Sequence, residues 1–157
     1  MEKITPMLWF DNNAEEAMNF YTKVFKNSKV VSVARYPEGS PGPVDQVMVA
    51  EIEIEGQRFS LLNGGPIFKF TEAVSFVIHV GGQEEIDYYW NALTADGGEE
   101  SMCGWLKDKF GVSWQVTPQK LIEYISNPDK EKAEKAMQAM LQMHKIDLSA
   151  LEAAVRD

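Results

Sequence analysis

The sequence is poor in cysteine and in long apolar segments, and each scarcity excludes a class of protein. Cys103 is the sole cysteine, so the chain forms no intrachain disulfide. No stretch approaches the roughly 18 apolar residues of a membrane-spanning helix, and the N-terminus lacks the basic and apolar run of a signal peptide. We therefore expect a cytoplasmic protein without a membrane partner.

Positive charge is also scarce. Fifteen Lys and Arg residues stand against 24 Asp and Glu residues, which gives a net charge of −9. Such a chain repels phosphate backbones at long range, so we expect no nucleic-acid partner. The 157 residues, 45% of them hydrophobic, suffice for one domain with a core that needs neither a metal nor a disulfide.

Motifs for nucleotide binding and nucleophilic catalysis are missing. The glycine pairs at 64–65, 81–82 and 97–98 do not extend to GxGxxG or to GxxxxGK[ST]. The two histidines are His79, on a predicted strand, and His144 near the C-terminus, and no nucleophile motif surrounds Ser75 or Cys103. The sequence predicts no Rossmann site, no P-loop and no catalytic triad.

An internal repeat organises the chain. A strand-forming segment at 4–10 precedes a helical pattern from Ala14 to Phe25, and a similar strand at 74–80 precedes a second helical pattern from Ile86 to Leu93. At an offset of 69 residues Ala17 matches Ile86, and Tyr21 matches Trp90. Asn13 and Glu16 form a plausible capping box for the first helix.

Strands follow each helix, and helices follow the strands. We predict strands at 28–36, 44–55 and 58–63 after the first helix, and at 102–107 and 112–117 after the second. Beyond Thr117 we predict a short helix starting at Pro118, a longer one opened by Pro128, and a last one capped by Asp147. The longer helix carries on one face Ala133, Ala136, Met137, Met140, Leu141 and His144. Its stripe of Met137, Met140, Leu141 and Met143 is predicted to be core or subunit interface instead of a ligand surface.

Strand alternation also identifies candidate metal ligands. It predicts that one set of side chains faces inward: Thr5, Met7 and Trp9; Leu61 and Asn63; Ser75, Val77 and His79; and Ser113 and Gln115. Only His79 is a good ligand for a divalent ion, and Asn63 and Gln115 offer weak amide oxygens. A lone strand histidine is more often structural, so we predict no tightly bound metal and no cofactor.

The same inward set offers an aromatic and amide lining. Together with Trp105 it predicts a mostly apolar ligand pocket in which Asn63, Gln115 and Ser75 form hydrogen bonds. Strand parity places Trp9 and Trp105 inside this pocket and turns Trp114 and Phe76 away from it.

Three segments carry a resemblance to a known family. They are ITPMLWFDNNAEEAMNFY at 4–21, LNGGPIFKFTEAVSF at 62–76 and CGWLKDKFGVSWQ at 103–115. Together they resemble PhnB-like proteins of the glyoxalase/bleomycin-resistance (vicinal oxygen chelate) superfamily, often labelled 3-demethylubiquinone-9 3-methyltransferase domains. The resemblance covers about residues 4–117, and the C-terminal helices resemble that family's extension.

The resemblance implies an α+β fold of two βαβββ modules, each a curved mixed sheet, that form cupped barrels. We place the modules at 3–66 and 72–118 and a helical extension at 118–157, within a single domain spanning 1–157. Metal-dependent members of the superfamily carry His, Gln or Glu where this sequence has Thr5 or Pro6, Leu61 or Asn63, Ser75, and Gln115. The ligand set is mostly gone, and no S-adenosylmethionine motif accompanies the methyltransferase label.

Three functions follow as hypotheses. The first is a metal-free protein that binds a small hydrophobic or planar ligand. The second is an enzyme of the same superfamily, using a weakly bound ion or a metal-free step, and the third is a structural dimer whose pocket is filled by its own side chains. We expect a homodimer in each case, because the modules leave sheet edges and apolar concave faces to cover and the family is usually dimeric.

Overall fold

Two βαβββ modules and a helical extension follow one another along the chain. The computed structural model describes residues 2–156, and within them eight β-strands and five α-helices form. The chain divides into two units between Phe70 and Thr71. No helix among the described residues is long and apolar enough to cross a membrane.

The first unit builds one mixed sheet. Its elements are β1 (Met7–Phe10), α1 (Ala14–Val24), β2 (Ser28–Arg35), β3 (Val47–Ile54) and β4 (Gln57–Asn63). The strand order is β1-β4-β3-β2, with β1 parallel to β4 and the remaining pairs antiparallel. The sheet therefore joins its first strand directly to its last.

The second unit repeats this topology and adds the extension. Its elements are β5 (Ser75–Val80), α2 (Gln83–Thr94), β6 (Glu99–Glu100), β7 (Trp105–Lys107), β8 (Ser113–Pro118), α3 (Gln119–Ile125), α4 (Lys130–Met140) and α5 (Leu148–Arg156). The strand order is β5-β8-β7-β6, and β5 runs parallel to β8. Both the α+β fold of two βαβββ modules and the C-terminal helices are confirmed.

The internal repeat is visible in the packing of α1 and α2. Ala17 and its match Ile86 are both fully buried, and so are Tyr21 and Trp90. The two helices thus bury the same face, and each supplies one large ring to the core of its own unit. The buried Trp90 indole also donates a hydrogen bond of 2.6 Å to Glu100 on β6.

Two local predictions differ from the structure. Asn13 precedes α1 but makes no side-chain capping bond, so the capping box with Glu16 is wrong. The first amide of the helix, at Ala14, donates instead to the side chain of Asn63 at the end of β4. The predicted strand at 102–107 is shorter, because Cys103 and Gly104 adopt positive φ and the ladder begins only at Trp105.

The extension forms a small core of its own. Leu121 on α3, Ala136 on α4, Ile146 before α5 and Leu151 on α5 are buried together. The predicted α4 stripe is only partly inside. Met140 packs against this core, whereas Met137 and Leu141 stay exposed and His144 lies beyond the helix end.

Backbone hydrogen bonds attach the extension to the start of β7. The N–H groups of Cys103 and Gly104 donate to the carbonyls of Met143 and His144 at 2.7 and 2.8 Å. Gly104 has φ of 84°, and a Cβ there would lie 3.0 Å from the Val116 carbonyl oxygen. Only glycine fits both the conformation and the close approach.

Polar side chains complete the attachment. The Gln83 amide of α2 donates to the Ile146 carbonyl and accepts from Leu148 N–H at 3.0 and 2.9 Å, and Lys145 pairs with Asp87 at 2.9 Å. The hydrogen bond from Gln83 is the main cause that lowers the pKa of Asp87, and the hydrogen bond from Lys145 is the second. The Ser149 hydroxyl and the Ala150 N–H likewise lower the pKa of Asp147, which caps α5 as predicted.

These lowered values predict an acid-sensitive extension. A carboxyl group whose folded pKa is depressed contributes stability that is complete above its unfolded value of about 3.9 and is lost as the pH falls through the folded value. Removing the cap with Asp147→Ala should cost about 0.5–2 kcal/mol at pH 7. The difference from the unchanged protein should shrink as the pH falls below about 4.

Urea unfolding of both proteins at pH 7, 5, 4 and 3 measures this difference. A cost that stays constant across the series would contradict the role of the Asp147 charge.

Candidate functional site

Strand register assigns the side chains of the second unit to two faces. Leu106, Trp114 and Val116 are buried, and they alternate along β7 and β8 with residues that face the other way. We call that other side the second open face. It carries the following residues in register: Ser75, Val77 and His79 on β5, Ser113 and Gln115 on β8, and Trp105 and Lys107 on β7.

The structure therefore brings six predicted pocket residues onto one face: Ser75, Val77, His79, Trp105, Ser113 and Gln115. Val77 and His79 are exposed, whereas Trp105 and Gln115 are half-buried. Trp114 and Phe76 lie on the opposite face, as parity predicts, with their ring centroids 5.4 Å apart.

One hydrogen bond orients the polar groups at the centre of this face. The Gln115 side-chain amide donates to the Ser75 hydroxyl across the parallel β5–β8 pair at 2.9 Å. Trp105 lies opposite Gln115 on β7. An aromatic ring and a held amide are thus neighbours on adjacent strands, an arrangement suited to a ligand with a flat surface and a polar edge.

Ser113 is the unusual member of the face. Its side chain is only 2% exposed, and its hydroxyl has no hydrogen-bond partner. A buried polar group left unsatisfied costs about 1–3 kcal/mol. The Ser113 hydroxyl is therefore shielded from solvent and makes no hydrogen bond within the described residues.

The turn that precedes Ser113 is held rigidly. The buried carboxylate of Asp108 accepts hydrogen bonds from the N–H groups of Phe110 and Val112 at 2.9 and 3.1 Å, and from the Trp114 indole at 2.9 Å. Since these bonds tie both ends of the turn to one side chain, the spacing between Lys107 and Ser113 is fixed.

Lys107 and Glu72 were not among the predicted site residues. The Lys107 ammonium pairs with the Glu72 carboxylate at 3.0 Å, and the hydrogen bond from Lys107 is the main cause that lowers the pKa of Glu72. Lys107 follows Trp105 at strand spacing, so its parity was a usable signal. Glu72 lies in a turn before β5, and no periodic pattern indicates its position.

The first unit also has two faces, and there the parity prediction differs from the structure. Met7 and Trp9 on β1 share a face with Ser60 and Leu62 of β4, which we call the first open face. Leu61 and Asn63 lie on the opposite side and are buried with the residues that α1 covers. The predicted grouping of Thr5, Met7 and Trp9 with Leu61 and Asn63 is therefore not formed.

Asn63 has a structural role instead. Its side chain accepts from Ala14 N–H at the start of α1 and donates to the Val47 carbonyl on β3, both at 2.9 Å. Thr5 precedes β1 and lines a shallow pocket of about 240 Å³ together with Glu51, Glu53 and Arg58. Arg58 on β4 pairs with both Glu51 and Glu53 on β3.

Trp9 anchors an aromatic cluster on the first open face. Its indole N–H donates to the Gly65 carbonyl at 2.9 Å, and its ring meets Phe68 edge to face with centroids 4.9 Å apart. A Cβ at Gly64 would lie 2.5 Å from the indole, so glycine is required there. Trp9 is half-buried and its orientation is fixed.

The residues at the superfamily's metal positions do not fit a divalent ion. Ser75 and Gln115 are bonded to each other, and Leu61 and Asn63 face the helix side. Within residues 2–156 no three His, Cys, Asp or Glu side chains are grouped so as to hold a metal. Among these residues, His79 has no second strong metal ligand beside it on the second open face.

Comparison with known proteins gives a family and a fold. The sequence profile of the 3-demethylubiquinone-9 3-methyltransferase family matches residues 2–117, so the extension lies outside it. A PhnB protein from Bacillus cereus is 40% identical to this chain. The alignment covers 74% of this chain and 99% of that protein, with a TM-score of 0.69. No curated protein sequence matches the chain.

More distant structures share the fold. A protein from Pseudomonas aeruginosa is 23% identical with a TM-score of 0.63, and covers 75% of this chain and 98% of its own. The fosfomycin resistance protein FosX from Listeria monocytogenes, solved with Mn(II) and sulfate, is 13% identical with a TM-score of 0.53. That alignment covers 75% of this chain and 91% of FosX.

Ser113 and Asn63 should respond oppositely to truncation. Ser113→Ala removes a buried hydroxyl without a partner, so the free energy of unfolding should stay unchanged or rise by up to about 1 kcal/mol. Asn63→Ala leaves the Ala14 N–H and the Val47 carbonyl without partners and should therefore lower the free energy of unfolding by about 1–3 kcal/mol. Urea denaturation of both variants measures these changes. Equal destabilisation would mean that Ser113 has a partner.

Proposed function

Because the chain belongs to the 3-demethylubiquinone-9 3-methyltransferase (PhnB-like) family of the glyoxalase/bleomycin-resistance superfamily, we propose that it uses this fold to bind a small planar molecule without a metal. The observation that carries the proposal is the composition of the second open face. It combines a half-buried indole, a held amide and an exposed apolar side chain, at Trp105, Gln115 and Val77. Its donor set does not suit a divalent ion.

Each side chain has a defined part in the proposed binding. The Trp105 ring supplies the flat surface on which an aromatic ligand stacks, and Val77 adds apolar contact area beside it. Gln115 uses one amide hydrogen on Ser75 and keeps its second amide hydrogen for the polar edge of the ligand. Shape and hydrogen bonding, instead of coordination, then provide the specificity.

The first open face supplies a second aromatic surface. Trp9 is held there by Gly65 and Phe68, and Met7 beside it is 56% exposed. We propose that Met7 and Trp9 contact apolar ligands from this face, with Thr5 at its charged boundary. The far end of the same sheet is occupied by the ion pairs of Glu51, Glu53 and Arg58 and is less suited to them.

An enzyme of the same superfamily is the alternative, and the observation that favours it is the position of His79. Its imidazole is exposed on the second open face, on the same strand as Ser75, where it can exchange a proton with a bound molecule. The methyltransferase label has less support, because the sequence has no glycine-rich strand-loop-helix for a nucleoside cofactor.

A homodimer is part of the proposal. Edge strand β2 presents exposed apolar side chains, with Val30 42% and Val33 37% exposed, and strand edges of this kind are usually covered. Light scattering at micromolar concentration should give twice the monomer mass of 17.7 kDa. A monomer under those conditions would contradict the dimer.

Binding can be tested with indole-3-acetamide as an uncharged planar probe. In a two-dimensional NMR titration, the probe should shift the signals of the Trp105 indole and the Gln115 amide. Trp105→Ala should weaken binding at least about tenfold, because burying a large aromatic surface contributes about 1.5–3 kcal/mol. Tyr88→Ala, which removes an exposed ring from α2, is the matched control and should leave binding unchanged.

The same titration separates our proposal from a metal-dependent enzyme of the superfamily. A metal-free site predicts identical binding before and after dialysis against a chelator. Loss of binding on dialysis, restored by one divalent metal, would favour the enzyme and contradict our proposal.

A further inference from the structure

Lys107, Ser113 and Glu72 meet at one end of the second open face. Lys107 on β7 and Ser75 on β5 both pair with Ser113 on the strand between them. Neighbouring strands lie about 4.8 Å apart, so β5 and β7 are separated by about 10 Å with β8 between them. Lys107 nevertheless contacts Glu72, which lies just before β5. The ion pair therefore crosses over the end of β8 where Ser113 lies.

This crossing places a charged contact above an unsatisfied hydroxyl. Ser113 is 2% exposed and its Oγ has no partner, although the Glu72–Lys107 pair lies on the same side of the sheet. A hydroxyl and an ammonium on adjacent strands of one face can both donate hydrogen bonds to an oxyanion. In this structure only the ammonium has an anionic partner, which is the carboxylate of Glu72.

We propose that Lys107 and Ser113 form a subsite for a carboxylate or similar oxyanion on the ligand, and that Glu72 pairs with Lys107 until the ligand displaces it. The inference rests on the proposed function, since the oxyanion belongs to a molecule that stacks on Trp105. Lys107 and Trp105 lie on the same face of the same strand, two residues apart. One ligand can therefore reach both.

The three side chains differ in how freely they move. The backbones of Lys107 and Ser113 are held on paired strands, and Asp108 holds the turn between them with three hydrogen bonds. Glu72 lies in a turn outside the sheet, and its side chain is 58% exposed against 34% for Lys107. Exchange consequently requires only that Glu72 rotate into solvent, where a carboxylate is well hydrated. The incoming oxyanion gains the Ser113 hydroxyl as an additional donor.

The test compares two probes that differ in one group. Indole-3-acetate and indole-3-acetamide share the ring, but only the first carries a carboxylate. Glu72→Gln removes the competing anion and should tighten acetate binding about fivefold, the scale of a partly exposed ion pair, while acetamide binding stays the same. Lys107→Met and Ser113→Ala should each weaken acetate binding selectively, and dissociation constants from NMR titration report all of these values.

Matched controls come from an ion pair on α4. Lys135 and Glu131 pair at 3.6 Å with side-chain exposures of 35% and 79%. Lys135→Met and Glu131→Gln change the net charge by the same amounts as the two test variants. They should leave both probes unaffected, which separates a local subsite from a general effect of net charge.

The outcomes distinguish the two proposals. If acetamide binds at Trp105 but Glu72→Gln leaves acetate binding unchanged, or tightens both probes equally, the subsite is overturned and the proposed function stands. If neither probe shifts signals on the second open face, in the unchanged protein or in Glu72→Gln, both proposals are contradicted. Selective tightening for acetate, lost again in Glu72→Gln combined with Lys107→Met, supports the subsite.

Discussion

The parallel pairing of the first and last strand in each unit is the constraint on which the open faces depend. Hydrogen bonds between β5 and β8 set Val77 beside Gln115 and Ser75 beside Ser113. A shift of one residue would turn every one of these side chains to the opposite side. The site is therefore a property of strand register, and the helices contribute by burying the alternate residues and so holding that register.

Two buried polar side chains keep the strand ends in place. Asn63 joins the end of β4 to the start of α1 and to β3, and Asp108 joins both ends of the turn between β7 and β8. Each satisfies backbone groups that would otherwise be left without partners in the interior. Against this background Ser113 is an exception, since its hydroxyl is buried to the same degree and bonds to nothing.

The sequence was informative where alternation or helical spacing was clean. Along β8 the polar residues Ser113 and Gln115 alternate with the apolar residues Trp114 and Val116, and parity therefore separates Ser113 and Gln115 from Trp114, as the strand pairing does. Strand parity failed on β4, because residues 59–61 are all buried and do not alternate. Without alternation the sequence does not indicate which side chains face the helix. There only the pairing of Trp9 with Leu62 decides the faces.

Other features depend on contacts between distant residues and left no local signal. Strand β6 consists of two glutamates, which have low strand propensity, and one of them is held by the Trp90 indole. The cap of α1 comes from a residue 49 positions further along the chain. Similarly, Glu72, the partner of Lys107, lies in an irregular turn. The candidate subsite could therefore be recognised only from the pairing of β5, β8 and β7.

The attachment of the extension has a consequence for the order in which the chain folds. Its carbonyls at Met143 and His144 accept from the N–H groups of Cys103 and Gly104, and the Gly104 carbonyl in turn accepts from the Val116 N–H on β8. The extension follows the sheet in the chain and is synthesised after it. Until the sheet closes, the extension therefore lacks this attachment and depends on its own small core, and a delay in strand closure would lengthen the time during which it is open to aggregation.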